Sequence, residues 1–174
     1  MGVEALIGNS LLRLSLPLAA LAASTACTAK AEGPPVAEID ATLDRIYGHY
    51  AREDDPVADW ETSVFTAANR KLISDWQDHI GDELTGLNDY GWFCECQDWD
   101  AQAFRAERRS IRDLGKGRVE VGVRVSIGWD AVRNQRLVLV REDGQWMVED
   151  LFTRSEPGGI RKSLHRELAE KFSN

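Results

Sequence analysis

The chain has 174 residues, a formal net charge of −8 and only three cysteines and three histidines. A chain this acidic is repelled by phosphate backbones and anionic headgroups, which excludes nucleic acid and a charged membrane surface as direct partners. Its length supports one core-forming domain and not two comfortable ones.

The first 31 residues, MGVEALIGNSLLRLSLPLAALAASTACTAKA, stand apart from the rest. One arginine precedes an uncharged run from Leu14 to Ala29 rich in Leu and Ala. That is the layout of a cleaved secretory signal, with an apolar core too short and too rich in small residues to make a good membrane span. Two exits are open. Ala29-Lys30-Ala31 fits ordinary signal cleavage and leaves Glu32 as the new terminus. The alternative is STAC, ending at Cys27, which resembles a bacterial lipoprotein box although Ser24 stands where that box usually carries Leu. The expected location is therefore periplasmic or secreted, and any membrane attachment comes from a lipid at Cys27. Loss of Glu4, Arg13 and Lys30 removes a net +1, taking the charge from −8 to −9.

Residues 32–36, EGPPV, read as a linker, because two prolines impose extended geometry before any apolar period begins. Residues 37–174 form the expected single domain. From Val36 onward, Ile39, Leu43, Ile46, Tyr47 and Tyr50 recur at helical spacing and predict a first helix running to about Arg52. Asp55-Pro56 breaks the chain. Val64, Ala68, Leu72, Trp76, Ile80 and Leu84 then predict a long second helix, with Thr66 as a cap for its regular part and an end near Gly86.

Next comes GWFCECQDWDAQAF, residues 91–104, an irregular segment with two cysteines one residue apart. After it the period changes to two. FRAERRSIRDLGKG reads as a polar first strand ending in a Gly-Lys-Gly turn. RVEVGVRVSI places Val119, Val121, Val123, Val125 and Ile127 on one face. RLVLVREDGQWMVEDLF gives two more strands around Asp143-Gly144, a dipeptide suited to a hairpin turn. Four strands with short connections make an antiparallel meander. Ile160, Leu164, Leu168 and Phe172 predict a closing helix. The expected fold class is α+β: N-terminal helices packed on a curved four-stranded antiparallel sheet, with a C-terminal helix behind them.

VREDGQWMVEDLF followed by PGGIRKSLHREL, with CQDWD ahead of the sheet, resembles the bacterial domain of unknown function family 3828 over about residues 38–172. The resemblance implies an envelope protein with a signal peptide or lipid anchor. It also implies a cone-shaped, cystatin-like fold similar to nuclear transport factor two. That superfamily includes ketosteroid isomerases and scytalone dehydratases, but the family itself has no assigned reaction, and a shared fold is only analogy.

Several residue sets bear on chemistry. Cys94 and Cys96 are expected to form a disulfide in an oxidising compartment, with free redox thiols and a metal site as alternatives. No metal or cofactor is expected. His49, His79 and His165 fall on separate predicted helices without ligand spacing, and there is no GxSxG motif and no Gly-rich phosphate loop. Asp98 and Asp100 flank Trp99; either acid is a candidate general base in the cone or a cap for turn amides. Strict alternation puts Asp150 on one face with Trp146, Val148 and Phe152, so it is expected to point inward. There it either accepts from backbone amides near Gly158 and Gly159 or from an arginine, or serves as a cavity base. Tyr47 and Tyr50 could donate hydrogen bonds into the same cavity. The same alternation has Arg108 and Arg112 facing one way, Arg105 and Arg109 the other, with cross-strand acids as their expected partners.

Two functions compete. The first is a noncatalytic envelope module that binds a protein partner or a small apolar ligand through the cone or the sheet face, with Trp60, Trp92, Trp99 and Trp129 near loops as recognition residues. The second is a small lyase, isomerase or hydratase with Asp150 or Asp98 as base.

Overall fold

The computed structural model describes residues 35–52 and 57–171; the signal segment, Cys27 and Phe172 lie outside them. Helix α1 spans Val36–Tyr47 and buries Ile39, Thr42, Leu43, Ile46 and Tyr47, the stripe its spacing predicts. It tightens into a 3-10 turn, Gly48–Ala51, which buries His49 and Tyr50. A second 3-10 turn, Asp59–Glu61, follows.

Helix α2 spans Ala67–Ile80, and Thr66 caps it by accepting from the Asn69 amide at 3.2 Å. It is shorter than the sequence spacing suggests. Gly81 takes φ +55°, which ends the helix and leaves Leu84 75% exposed. The buried stripe is Asn69, Ile73, Trp76 and Ile80, while Ala68 faces solvent. A strict four-residue series drifts by about 40° per step around a 3.6-residue helix, so it cannot hold one face for five steps.

Strands β1 (Arg105–Gly115), β2 (Arg118–Gly128), β3 (Ala131–Glu142) and β4 (Gln145–Phe152) form one antiparallel sheet in the order β1-β2-β3-β4. Val119, Val121, Val123, Val125 and Ile127 are all buried on its inner face. Leu137, Leu139, Val148 and Leu151 continue that face, and Ile39, Ile46 and Trp76 belong to the helices' side of the same core. Helix α3, Ile160–Leu168, contributes Ile160 and Leu164. The fold is α+β, helices on a four-stranded antiparallel sheet with a closing C-terminal helix.

Two β-bulges overturn the strict alternation. One lies between Arg108 and Ser110 of β1, so Arg108 turns to the helix side, where it pairs with Asp40 of α1, and Arg112 turns to the outer face. The other leaves Glu149 extra in β4, because Leu139 pairs with Val148 while Val138 pairs with Asp150. Val148 and Leu151 therefore share the inner face, and Asp150 and Phe152 are carried to the other side. The free side of β4 is covered by the segment before α2: the Val148 amide donates to Val64 O at 2.8 Å and the Thr66 amide to Val148 O at 3.1 Å. That cover protects an edge that would otherwise invite pairing.

Candidate functional site

The irregular segment between α2 and β1 is part of the core. Trp92 and Phe93 are fully buried, and the indole of Trp92 donates to Leu87 O at 2.7 Å. Cys94 and Cys96 are joined at 2.03 Å with their α-carbons 5.1 Å apart, and both are buried. This ring brings Gly91 opposite Cys96, where the Gly91 amide donates to Cys96 O at 2.8 Å. Buried sulfurs in a backbone-tied ring act as a staple, not as an accessible redox centre. Among the described residues no group of three His, Cys, Asp or Glu side chains is placed to hold a metal.

The staple is anchored by a residue that the sequence reading passed over. Asp59 is 1% exposed and accepts from the Tyr50 hydroxyl at 2.6 Å and the Phe93 amide at 2.7 Å. Its other oxygen, Oδ1, lies 3.1 Å from Nε2 of buried His49, although the pair is not aligned as a hydrogen bond. One carboxylate thus ties the two 3-10 turns to the cysteine segment. The only sequence signal was an acid beside Trp60, just after the Asp55-Pro56 break, in a stretch with no periodicity.

Tyr47 and Tyr50 do not meet Asp150. Tyr47 donates to Gln135 Oε1 at 2.8 Å and packs edge-on to Phe93, while Tyr50 stacks on Phe104. Burial, and then the nearby charge of Asp59, raises both phenols far above their ordinary value. They remain protonated donors, and their protons are already engaged by protein acceptors.

Asp150 faces the start of α3. Its carboxylate accepts from the Leu151 amide at 2.9 Å and the Arg161 amide at 3.2 Å. The helix begins at Gly159, which has no side chain to cap it, so Asp150 supplies the missing acceptor from the neighbouring strand. Gly159 sits at φ +93°, and an added Cβ there would come within 2.5 Å of Asp150 Oδ2. Desolvation raises this carboxyl above 3.8, although the two amides pull it down. The space beside it, lined by Phe65, Ile73 and Leu164, is only about 10 Å³, too small for an organic ligand.

Asp98 is exposed, and Asp100 accepts from the Gln102 and Ala103 amides at 3.0 and 3.2 Å, a turn-capping role. The outer sheet face carries paired charges: Glu120 binds Arg112 at 2.9 Å and Arg136 at 2.8 Å, and Glu149 binds Arg118 at 2.6 Å. Burial disfavours the charged form of Glu120, but the two arginines outweigh it and lower its carboxyl below the ordinary value.

The open surface lies at the β2-β3 end of the sheet. Trp129 and Asp130 form the tip of that hairpin with φ +49° and +58°, and Trp129 is 68% exposed. The left-handed backbone costs on the order of 1 kcal/mol at the bulky Trp129, while Asp is one of the few side chains that adopt it readily. Beneath the tip is a groove of about 430 Å³ lined by Arg52, Asp98, Trp99, Asp100, Ala101 and Trp129. Trp99 is held rigidly there, donating to Tyr50 O at 2.8 Å and standing edge-on to the Tyr50 ring. Of the four tryptophans suggested as recognition residues, Trp92 is core, Trp60 packs against Trp76 and Trp92, and Trp99 and Trp129 reach this groove.

No family model matches the chain, and no curated protein matches it. A chain in the crystal structure of the type VI native effector-immunity complex Tae3-Tai3 from Ralstonia pickettii is similar to it, at 16% identity and a TM-score of 0.48, over 71% of this chain and 97% of that one. The resemblance to family 3828 rests on the quoted sequence segments alone.

Proposed function

We propose that this chain is an exported envelope protein that works as a noncatalytic interaction module, gripping a protein partner through the Trp99-Trp129 groove. The observation that carries the reading is Trp129: a large aromatic, 68% exposed, on a hairpin tip held in costly left-handed backbone. Backbone strain tolerated at an exposed aromatic points to use of that aromatic. Tryptophan beside arginine is the composition of a binding hot spot, and Trp99 is fixed in place by Tyr50. Export rests on the signal-like segment, and the choice between free and Cys27-anchored protein stands with it.

The lyase, isomerase or hydratase reading has less to support it. Asp98 is exposed at the lining of the open Trp99-Trp129 groove, the Asp150 carboxylate caps a helix, and Tyr47 and Tyr50 point elsewhere. The test is capture from envelope extracts with wild type and Trp129→Ala side by side. The reading expects a reproducible partner that is lost with Trp129→Ala. Equal capture by both proteins, or no reproducible partner, overturns it.

A further inference from the structure

A second site, on other residues, follows from where β4 stops. The β3-β4 register begins at Arg136 opposite Phe152, after which the chain turns away through Thr153. On its other side β3 is paired with β2 all the way from Ala131. Among the described residues, Ala131–Gln135 of β3 therefore presents one bare strand edge, about 17 Å long at 3.4 Å per residue. Unpaired backbone donors and acceptors along such an edge are a template for one more strand.

A groove of about 530 Å³ occupies the place where β4 would have continued. It is lined by Val132, Arg133 and Asn134 of β3, by Arg154 and Ser155 just past β4, and by Glu95. Glu95 sits at the apex of the Cys94-Cys96 ring with φ +51°. Its Oε1 accepts from the Ser155 amide at 2.6 Å. Its Oε2 is shielded from solvent and has no hydrogen-bond partner among the described residues. A buried carboxylate oxygen without a donor is costly, and a ligand N–H would satisfy it. Arg133 spends Nε and Nη1 on the carbonyls of Glu95 and Val132, at 3.4 and 3.3 Å. Arg154 is exposed and makes no hydrogen bond or ion pair among the described residues. The groove thus offers a strand edge, one orphan acceptor and two guanidinium groups, Arg133 and Arg154, against the single carboxylate of Glu95 in its lining.

We propose that this groove binds the carboxyl-terminal end of an extended peptide. The peptide backbone would add to the β3 edge, its terminal carboxylate would meet Arg154 and Arg133, and a backbone N–H would fill Glu95 Oε2. Strand addition and carboxylate capture are known recognition modes, and their requirements coincide here. The volume falls in the range of small-ligand sites and suits a few residues, not a folded domain. The site does not depend on the Trp129 groove.

The test uses the full chain and titrates tri-alanine, tri-alanine carboxamide and acetate, followed by backbone amide NMR and calorimetry. Tri-alanine should bind saturably, with shifts at Glu95, Val132 to Asn134 and Ser155. The carboxamide and Arg154→Ala should each weaken binding roughly tenfold or more, equivalent to the ~1.4 kcal/mol of one charge-assisted bond. Glu95→Gln keeps an acceptor for Ser155 but turns the orphan position into a donor, and it should weaken tri-alanine by a similar factor while leaving acetate unchanged. Trp129→Ala should bind tri-alanine like wild type, which separates this site from the partner groove. Absence of saturable binding, carboxamide binding as tight as the free acid, or shifts confined to the Trp99-Trp129 groove would each overturn the proposal.

Discussion

Residues 85–96 and the two-residue turn Trp129-Asp130 are both places where the chain leaves regular structure, and both carry tryptophan, yet one is mostly core and the other is surface. The difference lies in where the polar groups go. In the first, Trp92 gives its indole N–H to Leu87 O, the Phe93 amide reaches Asp59 Oδ2, and Thr85 Oγ1 accepts from the Leu87 amide at 3.1 Å. With those partners in place the aromatics can be buried at the full apolar gain. At the hairpin end Trp129 has no such partner, and its ring stays in water. Loop aromatics enter the core when an internal acceptor is waiting, and Asp59 is the residue that makes the first loop internal.

The hardest break of that comparison is Asp59→Ala. It strands the Tyr50 hydroxyl and the Phe93 amide in a dry interior and removes the group facing His49. Two buried donors left without an acceptor cost on the order of 3 kcal/mol or more. For a domain of this size the melting temperature should fall by roughly 10 °C. Near-ultraviolet circular dichroism should show loosened Trp92 and Tyr50 environments, and a fall of less than about 2 °C would mean that the loop is held by its aromatics alone.

Next in size is Cys94→Ser with Cys96→Ser. A ring this small gains little from loop closure, about 1 to 2 kcal/mol when the chain-entropy relation is extended to so short a loop. The double mutant should therefore melt a few degrees lower, without the loss expected of Asp59→Ala. Intact mass after alkylation without reduction checks the bond itself: two alkylated thiols on the wild-type protein would contradict it.

How far these regions could be read from the sequence follows from the same contrast. The sheet was legible because alternation is imposed locally by the pleat: five inward residues of β2 and the Asp143-Gly144 turn needed no tertiary information. The bulges at Arg109 and Glu149 were not, because an extra residue leaves composition and spacing unchanged and only cross-strand packing selects its place. Asp150 was consequently placed with Trp146 and Val148, whereas the register sets it opposite Val138, and the amides it accepts are those of Leu151 and Arg161. Asp59 was invisible for a different reason: its partners are a hydroxyl 9 residues before it and an amide 34 residues after it, and no local pattern marks such a contact.

Asp150 gives a smaller effect, and one that changes with pH. Asp150→Ala removes the acceptor of the Arg161 amide at the start of α3 but also relieves a desolvated charge, so the net cost should be only about 1 kcal/mol near neutrality. The sign with pH follows from a carboxyl raised in the folded state. Its contribution to stability is fully present below 3.8 and is lost as the pH rises through the higher folded value. Asp150→Asn has no such titration, so it should gain on wild type as the pH rises above 3.8. Glu120 runs the other way: its lowered carboxyl contributes stability at neutral pH that is lost on acidification. Melts of wild type and Asp150→Asn at increasing pH would contradict the assignment if the difference between them stayed constant or shrank.

The hairpin tip should change stability by no more than Asp150 does, and in the opposite direction, as a gain. Trp129 and Asp130 occupy positions with φ +49° and +58°, where a two-residue hairpin turn of this type prefers Asn-Gly. Replacing the pair by Trp129→Asn with Asp130→Gly relieves the left-handed cost, most of it at Trp129, and exposes no core surface, because the indole is 68% exposed already. Stability should rise by about 1 kcal/mol, a few degrees in melting temperature. Partner capture should disappear in the same protein, because the substituted side chain is the one that reaches over the Trp99 groove. Such a gain in stability with a loss of binding is expected where strain has been kept for use. The same double substitution lowering the melting temperature would mean that the indole is buttressed by its neighbours, and the distinction drawn between the two loops would fail at its exposed end.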